Sequence, residues 1–536
     1  MTISAVVTDK KQAVMNMGDF TKTEIEQIED RGYSIETICE QIKVLRNGIP
    51  SITLNRPCLI NEGIFSIPPE EFEHLYEFFK KATKIGRLSM FIPASGAACR
   101  MFKPLTEILK NGKDVCWDDL VNASDKEDET SSFALEFFQN IESFAFFDDL
   151  VAKLCQRGIE LPSEGSVASI LPVLDVLLTS KGLDFANLPK GMIPFHLNKD
   201  NTRTPFEEYI IAAKEITRDS NGLVHIHFTI PESGLDQISN LIDGFLVSIN
   251  DSNVKFDITY SFQKPSTDTI AIDHSDKLLK DLNGQIVFRP GGHGALIENL
   301  NDLDGDIVMI KNIDNILPEV FHDEVLLFEK LICGFYLTLE TKLFQLLHQL
   351  DDEGAHTNLF DSICKFIKDN LMMKVPAEWN VLSTVEKTTR ISRFLNRPLR
   401  VCGVVKNTGA PGGGPFWVSD KYGESKQIVE TAQVDRESDK QMNIWQSSTH
   451  FNPVDMVSGL KDYRGKKFNL LDFIDKKTGF TTKKIFHGQE IKALELPGLW
   501  NGSMAGWLTV FVDVPLFTFN PVKTVNDLLK NKHLIS

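Results

Sequence analysis

Apolar positions recur at helical spacing in three early stretches of the chain. After a polar opening of about twenty residues, TKTEIEQIEDRG reads as a helix, with Thr21 or Thr23 accepting from the first-turn N–H groups and Gly32 ending it. A second helix is expected over Ile35–Asn47. A third is expected over residues 68–84, where Phe72, Leu75, Phe78 and Phe79 make an apolar stripe. The period then shortens. Residues 90–92 form a short apolar strand that runs into the small-residue loop 94–100 and a returning helix, the strand–loop–helix unit of an α/β fold. Residues 106–187 read as helical and acidic, with KEDET at 126–130 a solvated loop. Strands are expected at 223–229, 254–262, 285–288, 306–311 and 400–405, and again in TVFVDVPLFTF near the C-terminus. No repeat of fixed period appears.

This alternation predicts a layered α/β protein with one sheet-based unit, over residues 89–323 and 395–536. A helical insertion near 106–187 and another over 324–394 elaborate it, and a helical region over 1–88 precedes it. With 536 residues, 42% hydrophobic and 24% charged, the composition is globular and supports a large core. Lysine and arginine total 57 against 74 aspartate and glutamate, a net charge of −17 that repels nucleic acid and anionic membranes but leaves room for a local basic pocket. The eight cysteines are scattered without a CxxC pair, as in a reducing compartment. The opening residues lack the apolar core of a signal peptide, and the most apolar helical stretch, 325–350, carries Glu329, Lys330, Glu340 and Lys342. The expectation is a cytoplasmic protein with no membrane or nucleic-acid partner, its oligomeric state left open.

Candidate chemistry sits on loops that follow strands. Ser95, Gly96 and Ala97 let backbone N–H groups approach an anion at a helix start, and Arg100 and Lys103 add cations; the same turn also serves packing alone. Lys190 follows a proline and precedes an apolar run. Gln263 lies on a polar loop suited to reading a base or sugar. Gly292, His293 and Gly294 repeat the pattern of a glycine loop entering a helix. Asp314 stands just past a buried strand, where α/β proteins bind ligands, and a lone acid there suits a hard metal completed by substrate phosphates. KNTGAPGGGPFWV, at 406–418, reads as a mobile loop. Beyond it, QIVETAQVD reads as a strand carrying Glu430 and Asp435, and STHFNPVDMV adds His450, Asn452 and Asp455. For each of the twelve histidines taken alone, a satisfied structural role is the simpler reading.

The order of these motifs resembles that of the sugar nucleotidyltransferases. Residues 94–101, then PKGMIPF, then RTPFEEYI are similar to that superfamily's glycine loop with arginine, Pro-Lys segment and proline-started helix. NIDN at 312–315, VETAQVD, and above all VDVPLFTFNPVKTVNDLL at 512–529 resemble motifs of its UDP-sugar pyrophosphorylase branch. The chain also resembles a bacterial family labelled only as a domain of unknown function. The resemblance implies a GT-A-like Rossmannoid sheet, dependence on Mg²⁺, and nucleotidyl transfer from a nucleoside triphosphate such as UTP to a sugar 1-phosphate, with release of pyrophosphate. Arg100, Lys190 and Lys523 would then act on phosphates. Ser95, Gly96, Ala97, Lys103, Gln263, Gly292, His293, Gly294, Glu430 and Asn452 would hold substrate, and Asp314 would hold the metal. Ala98 and Cys99 stand where the superfamily usually has glycine and threonine. That departure motivates a rival reading, a non-catalytic nucleotide-sugar sensor. Glycosyl transfer ranks last, because the acidic DLDGD at 302–306 lies before its strand.

Overall fold

Eight strands carry the central sheet: β1 (Gly63–Ser66), β2 (Leu88–Pro93), β3 (Leu223–Thr229), β4 (Lys255–Ser261), β5 (Ile307–Ile310), β6 (Leu399–Lys406), β7 (Met456–Gly459) and β8 (Leu508–Asp513). The computed structural model describes residues 20–198, 201–249, 251–409, 412–420, 423–486 and 489–534; the polar opening lies almost wholly outside them. The strands run in the order β1-β8-β6-β7-β5-β2-β3-β4, with Leu59–Ile60 beyond β1 and His450–Phe451 beside β6. Every neighbouring pair in that order is parallel except those made by β7, which is antiparallel to both β6 and β5. The protein is thus mixed α/β around a mostly parallel sheet. All four residues of β5 are buried, as a strand covered on both faces requires.

The chain steps outward from β2 to β3 to β4, then returns to the opposite side of β2 as β5. At such a reversal the loops leaving two adjacent strands part to opposite sides, opening a crevice beyond their carboxyl ends. The loop after β2 and the loop after β5 face that crevice together.

Helices α1 (Lys22–Asp30), α2 (Ile35–Asn47), α3 (Phe72–Lys84), α4 (Pro205–Thr217) and α5 (His322–Glu353) set the main packing. Thr21 caps α1 in a reciprocal box with Glu24. The first two helices pack on a second sheet of Phe288–Arg289, Thr269–Asp273, Gln489–Glu495 and Phe480–Phe486, through Ile28, Ile38, Ile42, Ile270 and Ile272. The strand expected at 285–288 is therefore only Phe288–Arg289 and belongs to this second sheet. The glycine-rich 406–418 segment, read as a loop, also differs. Apart from residues 410–411, which lie outside the described set, it ends β6 and begins the strand Gly414–Asp420, paired with Gly423–Val429. Its glycine has a packing cause, since a Cβ on Gly413 would stand 2.5 Å from Ile428 Cγ2.

Leu105, Phe137 and Leu174, from the helices between residues 103 and 178, share one core with Met90 and Ile307 of the sheet. α5 lies against α3, α4, β6 and β7, so it forms part of the layer covering the sheet. Among the described residues no helix is long and apolar enough to cross a membrane. The contact between α3 and α5 is close because residue 334 is glycine: a Cβ there would lie 2.0 Å from the Leu75 carbonyl oxygen. Gly334→Ala should therefore cost about 1–3 kcal/mol by forcing the helices apart. A lowered urea midpoint with an unchanged m value would show it, and an unchanged midpoint would contradict the packing described.

Candidate functional site

The loop leaving β2 is sewn to the segment before α4. Ala98 N–H donates to the Leu188 carbonyl at 2.9 Å, and Lys190 N–H donates to the Gly96 carbonyl at 3.0 Å. Gly191 allows this closeness, since a Cβ there would meet the Phe206 ring at 2.6 Å. Gly96 and Ala97 remain exposed, and no acceptor among the described residues takes their amides. Lys190 is turned into the crevice, where its Nζ lies 2.8 Å from Asp314 Oδ2; their side chains are 13% and 26% exposed.

The loop after β5 is held from several sides. Tyr209 Oη, on α4, lies 2.6 Å from the Asn312 carbonyl and 3.0 Å from that of Asn315. From the C-terminal segment, Val522 N–H donates to the Asp314 carbonyl and Asn520 N–H to Asn315 Oδ1, each at 2.9 Å. Val525 N–H donates to the Met101 carbonyl at 3.1 Å, tying that segment to the end of the first loop as well. Lys523 thereby comes beside Asp314 and Lys190. Partial burial of its ammonium lowers its pKa, and the charges of Asp314 and Asp527 oppose the shift. Lys523, Asp527, Lys530, Phe517 and Phe519 line an adjoining cavity of about 640 Å³.

Beneath the loop lies a buried ion cluster. Lys311, which directly follows β5, pairs with Glu329 of α5 and lies 2.9 Å from Asp455 Oδ1. All three are at most 5% exposed. Burial alone would lower the Lys311 pKa, but Asp455 and Glu329 outweigh it and raise it, while burial raises that of Glu329. None of these three roles is visible in local sequence spacing. The available signal is a lysine ending an apolar strand and a glutamate inside an apolar helix.

The remaining expected site residues are placed as follows. Ser95 is half-buried on the first loop, Arg100 is exposed on the short turn that follows, and Lys103 is exposed and pairs with Glu107 at 3.7 Å. Gln263 Nε2 lies 3.4 Å from Asp268 Oδ1. His293 is half-buried, stacks on Trp500 at 4.3 Å and accepts from Leu499 N–H through Nδ1 at 3.1 Å. A Cβ on Gly294 would meet the Pro497 carbonyl at 2.2 Å, so that glycine answers a packing need, whereas Gly292 holds a φ of +79° that side-chain-bearing residues rarely adopt. Glu430 is half-buried and lies near enough to raise the His293 pKa against the burial that lowers it. Asn452 is buried, donating to the Gly403 carbonyl at 2.7 Å and accepting from Val454 N–H at 3.2 Å. Gly96, Ala97, Lys190, Asp314 and Lys523 thus converge on one crevice, whereas His293 and Asn452 are engaged by internal partners. No group of three or more His, Cys, Asp or Glu suited to a metal occurs among the described residues. The donor set at Asp314 fits only a hard cation that ligand phosphates complete.

Residues 21–534 match the model of a family described as "Domain of unknown function (DUF4301)". No curated protein matches the chain. Among solved structures, a UDP-N-acetylglucosamine pyrophosphorylase from Trypanosoma brucei superposes with a TM-score of 0.43 at 10% identity, covering 95% of this chain and 79% of its own. A UDP-glucose phosphorylase from the same organism gives 0.42 at 12% identity, with 94% and 77% covered. A UDP-glucose pyrophosphorylase variant from Leishmania major, in complex with UDP-glucose, gives 0.40 at 10% identity with the same coverage.

Lys311→Met should cost about 3–5 kcal/mol, because it leaves two buried carboxylates without their counter-charge. The Glu329 carboxyl, whose pKa burial raises, favours the folded state at low pH and loses that contribution as pH rises. The variant's deficit should therefore be larger at pH 8 than at pH 5 in urea titrations. A deficit below about 1 kcal/mol at both values would mean the cluster is not held by charge.

Proposed function

The chain belongs to the DUF4301 family, and from the geometry of its crevice we propose that it transfers a nucleotidyl group from a nucleoside triphosphate to a sugar 1-phosphate, releasing pyrophosphate, on a GT-A-like sheet. The observation that carries this reading is the Lys190–Asp314 pair. Residues 124 positions apart meet at 2.8 Å where the strand order reverses, with Lys523 arriving from a third segment. Cations from separate segments gathered around one acid suit a metal-bridged polyphosphate better than a neutral ligand. Four of the segments that resemble sugar-nucleotidyltransferase motifs, 94–101, PKGMIPF, NIDN and the stretch around Lys523, border this crevice, which supports the reading; VETAQVD lies beside His293 instead.

In this mechanism a phosphate oxygen of the sugar phosphate attacks the α-phosphorus in line, and the protein supplies position and charge rather than a nucleophile. The Gly96 and Ala97 amides and Arg100 hold the leaving pyrophosphate. Lys190 exchanges its hold on Asp314 for a phosphate oxygen, and Lys523 neutralises charge on the opposite side. Asp314, once released by Lys190, would hold Mg²⁺, which would supply charge neutralisation to the phosphates. The clamp by Tyr209, Asn520 and Val522 keeps the acid in place without using its carboxylate.

A second reading rests on Ala98. Its amide is spent on the Leu188 carbonyl and its methyl is fully buried, so residue 98 offers no N–H to a triphosphate. This favours a protein that binds a nucleotide-sugar without making one.

A matrix of nucleoside triphosphates against sugar 1-phosphates, read by pyrophosphate release and starting with UTP, separates the two. For an active pair, Asp314→Asn and Lys523→Ala should each lower turnover by ~10²–10³, about 2.7–4 kcal/mol, with unchanged circular dichroism. Wild-type turnover in both variants removes these residues from the mechanism. Calorimetric binding of a nucleotide-sugar with no turnover for any pair selects the second reading.

A further inference from the structure

A buried chain of polar side chains connects α4 to the C-terminal segment that carries Lys523. Glu208 Oε1 lies 3.0 Å from His196 Nδ1, His196 Nε2 lies 2.9 Å from His533 Nδ1, and His533 Nε2 lies 3.2 Å from the Asn520 carbonyl. Glu208 and His196 are fully buried, His533 is 3% exposed, and the two imidazoles are stacked at 5.2 Å. We propose that Glu208, His196 and His533 are positioning residues, a relay that fixes the Asn520 backbone and through it the place of Lys523 over the crevice. The inference rests on the role given to Lys523 under the proposed function.

Proton counting restricts what the relay can be. A carbonyl only accepts, so His533 Nε2 must carry a proton, and in a neutral ring His533 Nδ1 accepts. His196 Nε2 then donates, and His196 Nδ1 shares one further proton with Glu208. Three links need three protons, which gives a neutral relay: either a carboxylic acid with two neutral imidazoles, or a carboxylate with one imidazolium. Removing one proton leaves a link unmade. Burial pushes the Glu208 carboxyl up to about 7 and the imidazoles of His196 and His533 each down to about 3, which corresponds to the first arrangement.

The charged groups around the relay are few. Arg203 Nη1 stands 3.8 Å from Glu208 Oε2 and is itself held by Glu319 at 2.6 Å, and His322 Nε2 stands 3.9 Å from the same Glu208 oxygen. Lys530 and Asp527, shortly before His533 in the chain, act on it in opposite directions. Arg203 and His322 pull the Glu208 pKa down, and burial outweighs them.

The placement on α4 adds a second argument. Glu208 and Tyr209 are consecutive: the first reaches the Lys523 segment through the two imidazoles, and the second holds the loop of Asp314. One turn of one helix therefore sets the distance between the two sides of the crevice.

Hydrogen exchange of the full-length protein, read by mass spectrometry over residues 516–530 and corrected for intrinsic rates, tests the relay independently of any substrate. Glu208→Ala, and His533→Phe as a volume-keeping alternative, should each reduce protection there by about ten-fold while leaving β5 unchanged. Glu208→Gln should keep protection, because its amide N–H can donate to His196 Nδ1. Wild-type protection should fall between pH 6 and pH 8.5, because the relay loses its third proton; that of Glu208→Gln should not. Unchanged protection in both breaking variants, or the same pH dependence in Glu208→Gln, overturns the proposal. If the exchange result holds and no nucleotide pair turns over, the relay stands and the reading of Lys523 fails. Undiminished wild-type turnover in a variant whose segment has lost protection overturns the positioning role itself.

Discussion

Lys311 places a full positive charge at the end of a central strand, inside the protein, and the crevice is built on the consequence. An ammonium in that position is tolerated only while acids meet it, and Glu329 from α5 and Asp455 from the segment entering β7 do so. Their meeting fixes the height at which the chain leaves the sheet, and the next four residues carry Asp314. Tyr209 then fixes the direction of that loop by taking two of its carbonyls. A carboxylate offered to a ligand must be held through its backbone, because every bond to its oxygens competes with the ligand. Asp314 is held in this way, by the bond from Val522 to its carbonyl.

The second constraint is charge. A protein with a net charge of −17 repels polyphosphates at a distance, so whatever attraction it offers must be local and short-ranged. Under the proposed function Lys190 and Lys523 would supply it from loops that cross the same crevice. The Lys190–Asp314 pair, in which each partner satisfies the other, would then give way to a ligand bringing its own anions and cation. Two glycines that suggested anion binding have local structural causes: Gly294 lies against the Pro497 carbonyl, where a methyl group does not fit, and Gly292 holds a positive φ.

Much of the fold was legible because period and punctuation are local. The helix Ile35–Asn47 and the strand Leu223–Thr229 match their expected bounds, and Thr21 caps the first helix as its spacing required. The second sheet was not legible. Its strands come from residues 269–289 and 480–495, and the latter open on FTTKKIF, whose run of two threonines and two lysines reads as exposed loop until the partner strand is known. The strand at Gly414–Asp420 was hidden for a related reason: Gly413, just before it, answers to Ile428 on the neighbouring strand, a fact that no window of sequence contains.

Of the crevice, the sequence by itself determined which short segments carry ligand-type side chains, and in what order. Small residues, prolines and strand ends are read from neighbours a few positions away. Only the tertiary structure decided which of those segments meet: Lys190, Asp314 and Lys523 share one space, while His293 and Asn452 are enclosed by internal partners. Only it revealed the residues that hold the site, among them Tyr209, Lys311, Glu208 and His533. Their roles depend on partners up to 337 positions away, and a contact made through space across that separation leaves no periodicity in the chain.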